Sequence, residues 1–311
     1  MTAGENVPEL SVIICTYNRV NELTDCLSSL LQQTLDKTKY EVIIVDNNSK
    51  DNTASVISEY IQKYSMLKYI FEPTQGLSHA RNTGWRNACG SFVAFIDDDA
   101  IAGTNWASSI LRDFIEVKPC PDSVGGPIES IFEKNPSKWF PVDFFNRQWN
   151  ENAEFLNSDT FGVGFFGGNV AYRKEVLENY GGFSPDFGMS GNSIGLGEET
   201  FLNCLLKRDG GLFYNDPDVC VKHKEGRDKV SIIYNLRRNY AHGKAKYLID
   251  SYFGQLNSLY QCAGQLFYTL CKCCVYLLFI YSISGKRRFL QALLALSGCM
   301  GYSASLIKTR R

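Results

Sequence analysis

Short apolar runs alternate with amphipathic stretches through the first part of the chain. Leu10–Cys15, Val42–Val45, Leu67–Phe71 and Phe92–Ile96 are largely apolar and bounded by polar residues, which predicts buried strands. Between them, apolar side chains recur at helical spacing. Leu23, Cys26, Leu27, Leu30 and Leu31 form one such stripe, and Val56, Ile57, Tyr60, Ile61 and Tyr64 the next. A third helix is expected over Leu77–Ala88, with Gly90 as its C-terminal cap. Strand and helix in alternation predict an α/β fold with a mainly parallel sheet flanked by helices. Right-handed crossovers put the carboxyl ends of parallel strands on one edge. Thr16, Asp46 and Asp97, Asp98 and Asp99 are therefore expected to line that edge together.

Further along, Thr104 is placed to cap a helix whose apolar face is Trp106, Ile110, Leu111, Phe114 and Ile115. Val124–Ile128 reads as a strand. Residues 130–165 are irregular and aromatic-rich, carrying among others Phe132, Trp139, Phe140, Phe144, Phe145, Trp149, Phe155, Phe161 and Phe165. A loop this long is uncommon unless it is functional, and its aromatics fit sugar rings, lipid and plain core packing alike. Gly167 and Gly168 precede a strand at Asn169–Tyr172 and permit close backbone approach to a ligand. A short helix over Arg173–Asn179 ends at Gly181-Gly182, and the glycine-rich stretch Ser184–Gly197 has the composition of a mobile lid. Glu198 and Glu199 open the next helix, where the dipole favours carboxylates; for both, capping competes with a catalytic reading. Short strands are expected at Leu212–Asn215 and Val219–His223, then a helix from about residue 228 to 249.

Two apolar-rich stretches close the chain, Leu266–Ile283 and Phe289–Ile307, split by Gly285-Lys286-Arg287-Arg288. Lys272 interrupts the first, and Gln291, Gly298 and Gly301 the second. With basic residues flanking both, peripheral membrane contact through residues 265–307 is expected, in plane or re-entrant; the competing reading is a soluble helical hairpin.

Composition narrows this only modestly. The 311 residues, 44% hydrophobic and 21% charged, are ordinary for a globular chain. A net charge of −1 gives no electrostatic footprint for nucleic acid. Eleven cysteines lie mostly inside apolar segments. No signal peptide precedes them, so reduced cytosolic thiols are expected, and Cys271, Cys273 and Cys274 lack the spacing of a zinc site. The informative chemistry is the run Asp97-Asp98-Asp99 at the end of an apolar strand. Acids so close repel one another unless a cation or donors neutralise them. Ligands of open α/β sheets bind beyond the carboxyl ends of the strands. Carboxylate ligands suit Mg²⁺ or Mn²⁺, often shared with substrate phosphates. The competing reading is a solvated acidic turn.

The segments SVIICTYNR, IIVDNNSKD, GLSHARNTGWRNACGSFVAFIDDD, FFGGNVAYRKEVLENYGGF and GLGEETF, in that order over roughly residues 10–210, resemble family 2 glycosyltransferases. The central and C-terminal segments are similar in style to bacterial exopolysaccharide transferases, including the cyanobacterial hormogonium-polysaccharide type. The resemblance implies a GT-A, Rossmann-like fold over residues 1–250, with 8–128 as the nucleotide-binding half and 129–225 as the acceptor-side half. Residues 251–311 would form a helical extension that associates with membrane. It implies inverting, metal-dependent transfer from a nucleotide-diphosphate sugar to a glycan or lipid-linked acceptor, at the cytoplasmic face of the inner membrane. Carried over position by position, Thr16 and Asp46 would hold the nucleotide base, and Arg81, Asp97, Asp98 and Gly168 would lie against the donor. Asp99 would bind Mn²⁺ or Mg²⁺, with His223 as a further ligand. The family's base is the Asp of a Glu-Asp pair; here the pair is Glu198-Glu199, and both acids stay candidates.

Two other enzyme classes place chemistry after an apolar strand. Phosphotransferases of the haloacid dehalogenase type carry Asp-x-Asp after their first strand, followed by Thr or Val; here the acids follow a later strand and precede Ala100. Dinucleotide-binding oxidoreductases need Gly-x-Gly-x-x-Gly after the first strand, where this chain has Cys15-Thr-Tyr-Asn-Arg19. A membrane-attached subunit that binds sugar nucleotide or polysaccharide without turnover is the alternative from a different class.

Overall fold

The structure is a computed structural model that describes residues 7–142, 145, 147–148, 150–156, 164–190 and 194–309. Contacts divide the chain into two units. The first comprises residues 1–130, 146–186 and 198–223, the second residues 131–145, 187–197 and 224–311.

The first unit is built on β1 (Leu10–Thr16), β2 (Tyr40–Asp46), β3 (Leu67–Phe71) and β4 (Phe92–Asp97), parallel and ordered β3-β2-β1-β4. The chain goes outward from β1 to β3 and then returns to β1's other side, so β1 and β4 flank a topological switch point. Pleating sends alternate side chains to opposite faces. Val12, Ile14, Val42, Ile44, Ala94 and Ile96 pack with α1 (Val20–Leu31), α2 (Thr53–Lys63) and α4 (Trp106–Glu116). Ile13, Ile43, Val45, Val93 and Phe95 pack with α3 (Leu77–Arg86), α5 (Lys174–Tyr180) and α6 (Glu198–Arg208). With both faces covered, the strands need continuous apolar runs, which is the pattern the sequence shows.

The sheet continues through strands of mixed direction. β9 (Asn169–Arg173) runs antiparallel to β4, and β6 (Ser123–Gly125) antiparallel to β9. β10 (Phe213–Asn215) is parallel to β6, and β8 (Glu154–Phe155) closes the order β4-β9-β6-β10-β8. A second, three-stranded sheet is ordered β5 (Ala100–Ala102), β11 (Val221–Glu225) and β7 (Ile128–Phe132). The second unit contains α7 (Ile232–Tyr252), α8 (Leu259–Leu277) and α9 (Ile283–Thr309).

Several local expectations need correction. Gly90 does not cap α3, which ends at Asn87; Gly90 is small because the β1 backbone passes so close that a Cβ would meet Glu9 O and Ser11 N. Asn105 rather than Thr104 occupies the N-cap of α4. The strand expected at Val124–Ile128 is two strands, divided at Gly126-Pro127, because proline offers no N–H to a ladder. The two C-terminal helices divide at residues 278–282, so the basic cluster Lys286-Arg287-Arg288 lies inside α9.

The aromatic stretch resolves mainly into packing. Phe140 and Phe145 are buried with Leu290 and Leu294 in the second unit, with Phe132 against them. Phe165 joins the core of the first unit. Phe144, Trp149 and Phe161 lie outside the described residues, as do residues 191–193 of the expected lid.

Candidate active site

The register brings the expected edge together. Thr16 pairs with Asp46 and Cys15 with Asp97, so the ends of β1, β2 and β4 are level. The three acids then diverge. Asp97 and Asp99 lie near His223, whose Nε2 is 2.9 Å from Asp99 Oδ1 and 3.7 Å from Asp97 Oδ2. The cause is β5, which pairs with β11 so that His223 sits opposite Ala100, next in sequence to Asp99. Asp98 instead accepts from Thr16 Oγ1 at 2.8 Å and from Arg19 Nη1 at 3.1 Å, and Arg19 also reaches Asp99 Oδ2 at 3.1 Å. Arg19 follows the Cys-Thr-Tyr-Asn segment at the end of β1, and the sequence reasoning gave it no role. Its signal was a cation directly after a strand that ends beside three acids.

Arg81 is buried on α3. Asn47, just past β2, fixes the entry to that helix: its Oδ1 accepts from Gly76 N at 2.8 Å and its Nδ2 donates to Thr74 O at 2.7 Å. One residue on, Asn82 locks the helix by donating to Phe183 O at 2.7 Å and accepting from Phe183 N at 2.9 Å. Arg81 is thereby held with Nη1 2.7 Å from Glu198 Oε1 and Nη2 3.5 Å from Asp97 Oδ1. Glu198 and Glu199 occupy the first turn of α6, Glu198 buried and Glu199 half-buried. Asn203, one turn on, ties α6 to β9 by accepting from Tyr172 OH at 2.8 Å and donating to Phe165 O at 2.9 Å.

Gly167 and Gly168 complete the edge. A Cβ on Gly168 would run into the Asp97 carboxylate, and one on Gly167 into the Arg81 guanidinium. Buried Asn169 holds this turn: its Nδ2 donates to the carbonyls of Gly126, Pro127 and Val219, and its Oδ1 accepts from Trp106 Nε1 at 2.8 Å. Asp46 is also at the edge but inward-facing; its carboxylate accepts from Ser49 N at 2.8 Å and Tyr69 OH at 2.9 Å.

The electrostatics separate these acids. Burial pushes Asp97 up, but the hydrogen bond from His223 and the charge of Arg81 outweigh it and hold Asp97 below the usual carboxylate range. Burial pushes Asp98 up to about 7 against the pull of Arg19, with Asp99 and Asp97 adding to the rise. Burial and the neighbouring Glu199 push Glu198 up to about 8, Arg81 opposing. Asp97, Asp99 and His223 each offer a ligand atom, all within 4.8 Å of one another. Two carboxylates and an imidazole are oxygen- and nitrogen-rich enough for Mn²⁺ or Mg²⁺. The residues therefore fit a divalent cation.

The family model described as Glycosyl transferase family 2 matches residues 11–181. The chain belongs to glycosyltransferase family 2. Glycosyltransferase AglE of Haloferax volcanii is 31% identical over 191 residues, covering 60% of this chain and 60% of AglE. Glucosyl-dolichyl phosphate glucuronosyltransferase of the same organism is 23% identical over 256 residues, 79% of each protein. Among solved structures, the mannosyltransferase PcManGT from Pyrobaculum calidifontis, in complex with GDP-Man and Mn²⁺, matches 97% of this chain and 75% of its own, with TM-score 0.59 at 17% identity. TarS 1-349 of S. aureus in complex with UDP matches 97% of this chain and 91% of its own, with TM-score 0.54 at 16% identity. The fold of this family 2 chain is GT-A.

Proposed function

We propose that the protein transfers a sugar, with inversion, from a nucleotide-diphosphate donor to a glycan or lipid-linked acceptor hydroxyl. The observation that carries this reading is the meeting of Asp97, Asp99 and His223 at the carboxyl edge of the sheet, with the Glu198–Arg81 pair beside them. A divalent cation, Mn²⁺ or Mg²⁺, held by Asp99 and His223 would stabilise the charge of the departing nucleoside diphosphate. Thr16 and Asp46 serve the nucleotide base. Asp97, Asp98, Arg81 and the close approach at Gly168 serve the ribose and sugar side.

Glu199 is the general base in this proposal. Glu198 is the weaker candidate because it is buried against Arg81 and pushed up to about 8, so it holds its own proton near neutrality. It acts as a positioning residue that orients Arg81 toward Asp97. Inversion is a single displacement: a bond forms between the acceptor oxygen and the anomeric carbon. The bond from that carbon to the diphosphate breaks with its electron pair leaving on the diphosphate. The acceptor proton goes to the Glu199 carboxylate. No second carboxylate is needed as nucleophile, unlike a retaining pair.

The relatives lend the donor class: GDP-Man and Mn²⁺ are bound to PcManGT, and UDP to TarS. A relative aligned over 79% of the chain has a lipid-linked sugar in its name, which favours a lipid-linked acceptor. With the resemblance of the central and C-terminal segments, this supports a part in exopolysaccharide or cell-surface glycan synthesis at the cytoplasmic face of a membrane. Residues 1–250 are the transferase domain in this reading, and 251–311 the membrane-associating extension.

The deciding experiment is calorimetric binding of UDP, GDP and dTDP with and without Mn²⁺, on wild type and Asp99→Ala. Binding of one nucleotide, lost without metal and in the variant, is the expected result. Absence of metal-dependent binding for all three would overturn the proposal in favour of a silent subunit or a metal-independent enzyme.

A further inference from the structure

A helix on the surface of a water-soluble unit buries one apolar stripe and turns a polar face outward. α8 does the first and not the second. Cys262, Thr269 and Cys273 form its buried stripe. On the other side, Phe267, Leu270, Cys274 and Leu278 recur at helical spacing and are exposed, Phe267 by 71%. The connector to α9 extends the same character, with Phe279 60% and Tyr281 96% exposed.

The charge of the C-terminal segment that carries this face has one sign. From Ser251 to Arg311 there is no Asp or Glu, and there are 7 Lys and Arg residues. Since the whole chain carries −1, the residues before Ser251 carry −8. Lys286, Arg287 and Arg288 lie in the first turns of α9, separated from the connector by three residues, and Lys272 lies back over the Tyr268 ring at 4.4 Å. A second copy of the face would bring like charge against like, so self-association does not satisfy it. An anionic lipid surface satisfies both the apolar stripe and the cations.

α9 has a different place in the C-terminal unit. By length and composition it is the helix among the described residues that could cross a membrane. Its Leu290, Leu294, Tyr302 and Leu306 are buried, however. It also lies so close to α7 that a Cβ on Gly243 would meet the Gly298 carbonyl and one on Gly301 the Tyr240 carbonyl. α9 is thus the support against which α8 is mounted.

We propose that the outer face of α8 and the 278–282 connector dock in the plane of an anionic phospholipid bilayer, without spanning it. This rests on the proposed transfer to a lipid-linked acceptor and names the surface that brings the enzyme to it.

The test is sedimentation of the full-length protein with phosphatidylcholine vesicles and with vesicles that also contain phosphatidylglycerol. Binding to the anionic vesicles is expected to be at least about tenfold tighter, since each cation near such a surface contributes roughly fivefold, and to weaken in high salt. Phe267→Ser with Phe279→Ser lowers partitioning by at least about tenfold. Lys286→Gln with Arg287→Gln and Arg288→Gln abolishes the preference for anionic vesicles but leaves residual binding.

Failure of the wild type to bind vesicles overturns the proposal, as does equal binding by both variants. So does a lipid-free dimer that the Phe267→Ser, Phe279→Ser variant dissolves. Vesicle-bound protein that resists alkaline stripping also overturns it, since that marks a spanning segment. Nucleotide binding, measured on the same proteins, is expected to be unchanged in both variants. Its absence in all of them would count against the transferase reading and not against docking.

Discussion

Gly168→Ala separates the site from the stability of the fold. The new methyl meets the Asp97 carboxylate first, not backbone. Asp97 is partly exposed and can turn aside, so the stability cost is small, about 1 kcal/mol, at the low end for overpacking. The cost at the site is larger. Turning Asp97 away opens its 3.5 Å approach to Arg81 and its 3.7 Å approach to His223 together. A tenfold or greater loss of metal-dependent nucleotide affinity is expected, about 1.4 kcal/mol or more. The matched control is Gly181→Ala, at the end of α5. There a Cβ meets nothing within 4 Å, but φ is +75°, so the methyl strains only the backbone. That variant should lose about 1–2 kcal/mol of stability with unchanged nucleotide affinity. Calorimetry with nucleotide and Mn²⁺, alongside thermal unfolding, reads both quantities on both proteins. If Gly168→Ala bound nucleotide like the wild type, the close approach of Gly168 to Asp97 would have no functional meaning. The reasoning would fail equally if both variants lost affinity in proportion to stability.

Further predictions follow from the acids and their partners. Glu199→Gln should retain nucleotide binding while kcat falls by about 10²–10⁴; Glu198→Gln should keep far more turnover, and the reverse order would exchange their roles. Glu198→Ala is expected to be harsher on the fold than Glu198→Gln, by roughly 1–3 kcal/mol for a buried Arg81 N–H left without its Glu198 acceptor, as chemical denaturation would report. Because Glu198 and Asp98 are raised to about 8 and about 7, the metal-free fold favours their protonated forms. That stability is fully present below the ordinary carboxylate pKa and is lost as pH rises through the raised values. Stability should therefore decline by a few kcal/mol between about pH 5 and pH 8, and less steeply in Glu198→Gln; a flat profile would refute the burial argument.

The layout of the first unit was legible because its strands are covered on both faces. Such strands need continuous apolar runs, and runs of that kind at Leu10, Val42 and Phe92 leave little else for the chain to do. The level ends of β1, β2 and β4 follow from parallel pairing, so Thr16, Asp46 and Asp97 could be placed together from sequence alone. What escaped was non-local. β5 is three residues long and exists through its pairing with β11, more than a hundred positions away. Nothing local in Ala100-Ile101-Ala102 announces a strand, yet it is this pairing that carries His223 to Asp99. Arg19 escaped for a similar reason, since its partners follow β4. The C-terminal break was misplaced because Gly285-Lys-Arg-Arg288 resembles a linker by composition. Inside a long helix, one glycine and three charges cost little.

The run Asp97-Asp98-Asp99 was expected to persist only where a cation or a set of donors neutralises it. The structure gives each acid a neutralising group from a different element: Arg81 of α3 for Asp97, Arg19 and Thr16 at the end of β1 for Asp98, and His223 of β11 with Arg19 for Asp99. The cluster therefore persists in the folded chain before any metal arrives, at the cost of holding Asp98 near its titration point. It also divides the labour inside three consecutive residues. The outer two acids lie toward the imidazole and can share a cation, while the middle one clamps the end of β1. A metal entering beside Asp99 would meet a carboxylate already shared between His223 and Arg19. Part of the electrostatic gain of binding it is thus offset by contacts that must loosen. Under the proposed function, that competition predicts weak binding of Mn²⁺ alone and tighter binding with a nucleoside diphosphate, whose negative charge would give Arg19 a new partner; calorimetry showing equal Mn²⁺ affinity with and without the nucleotide would refute it.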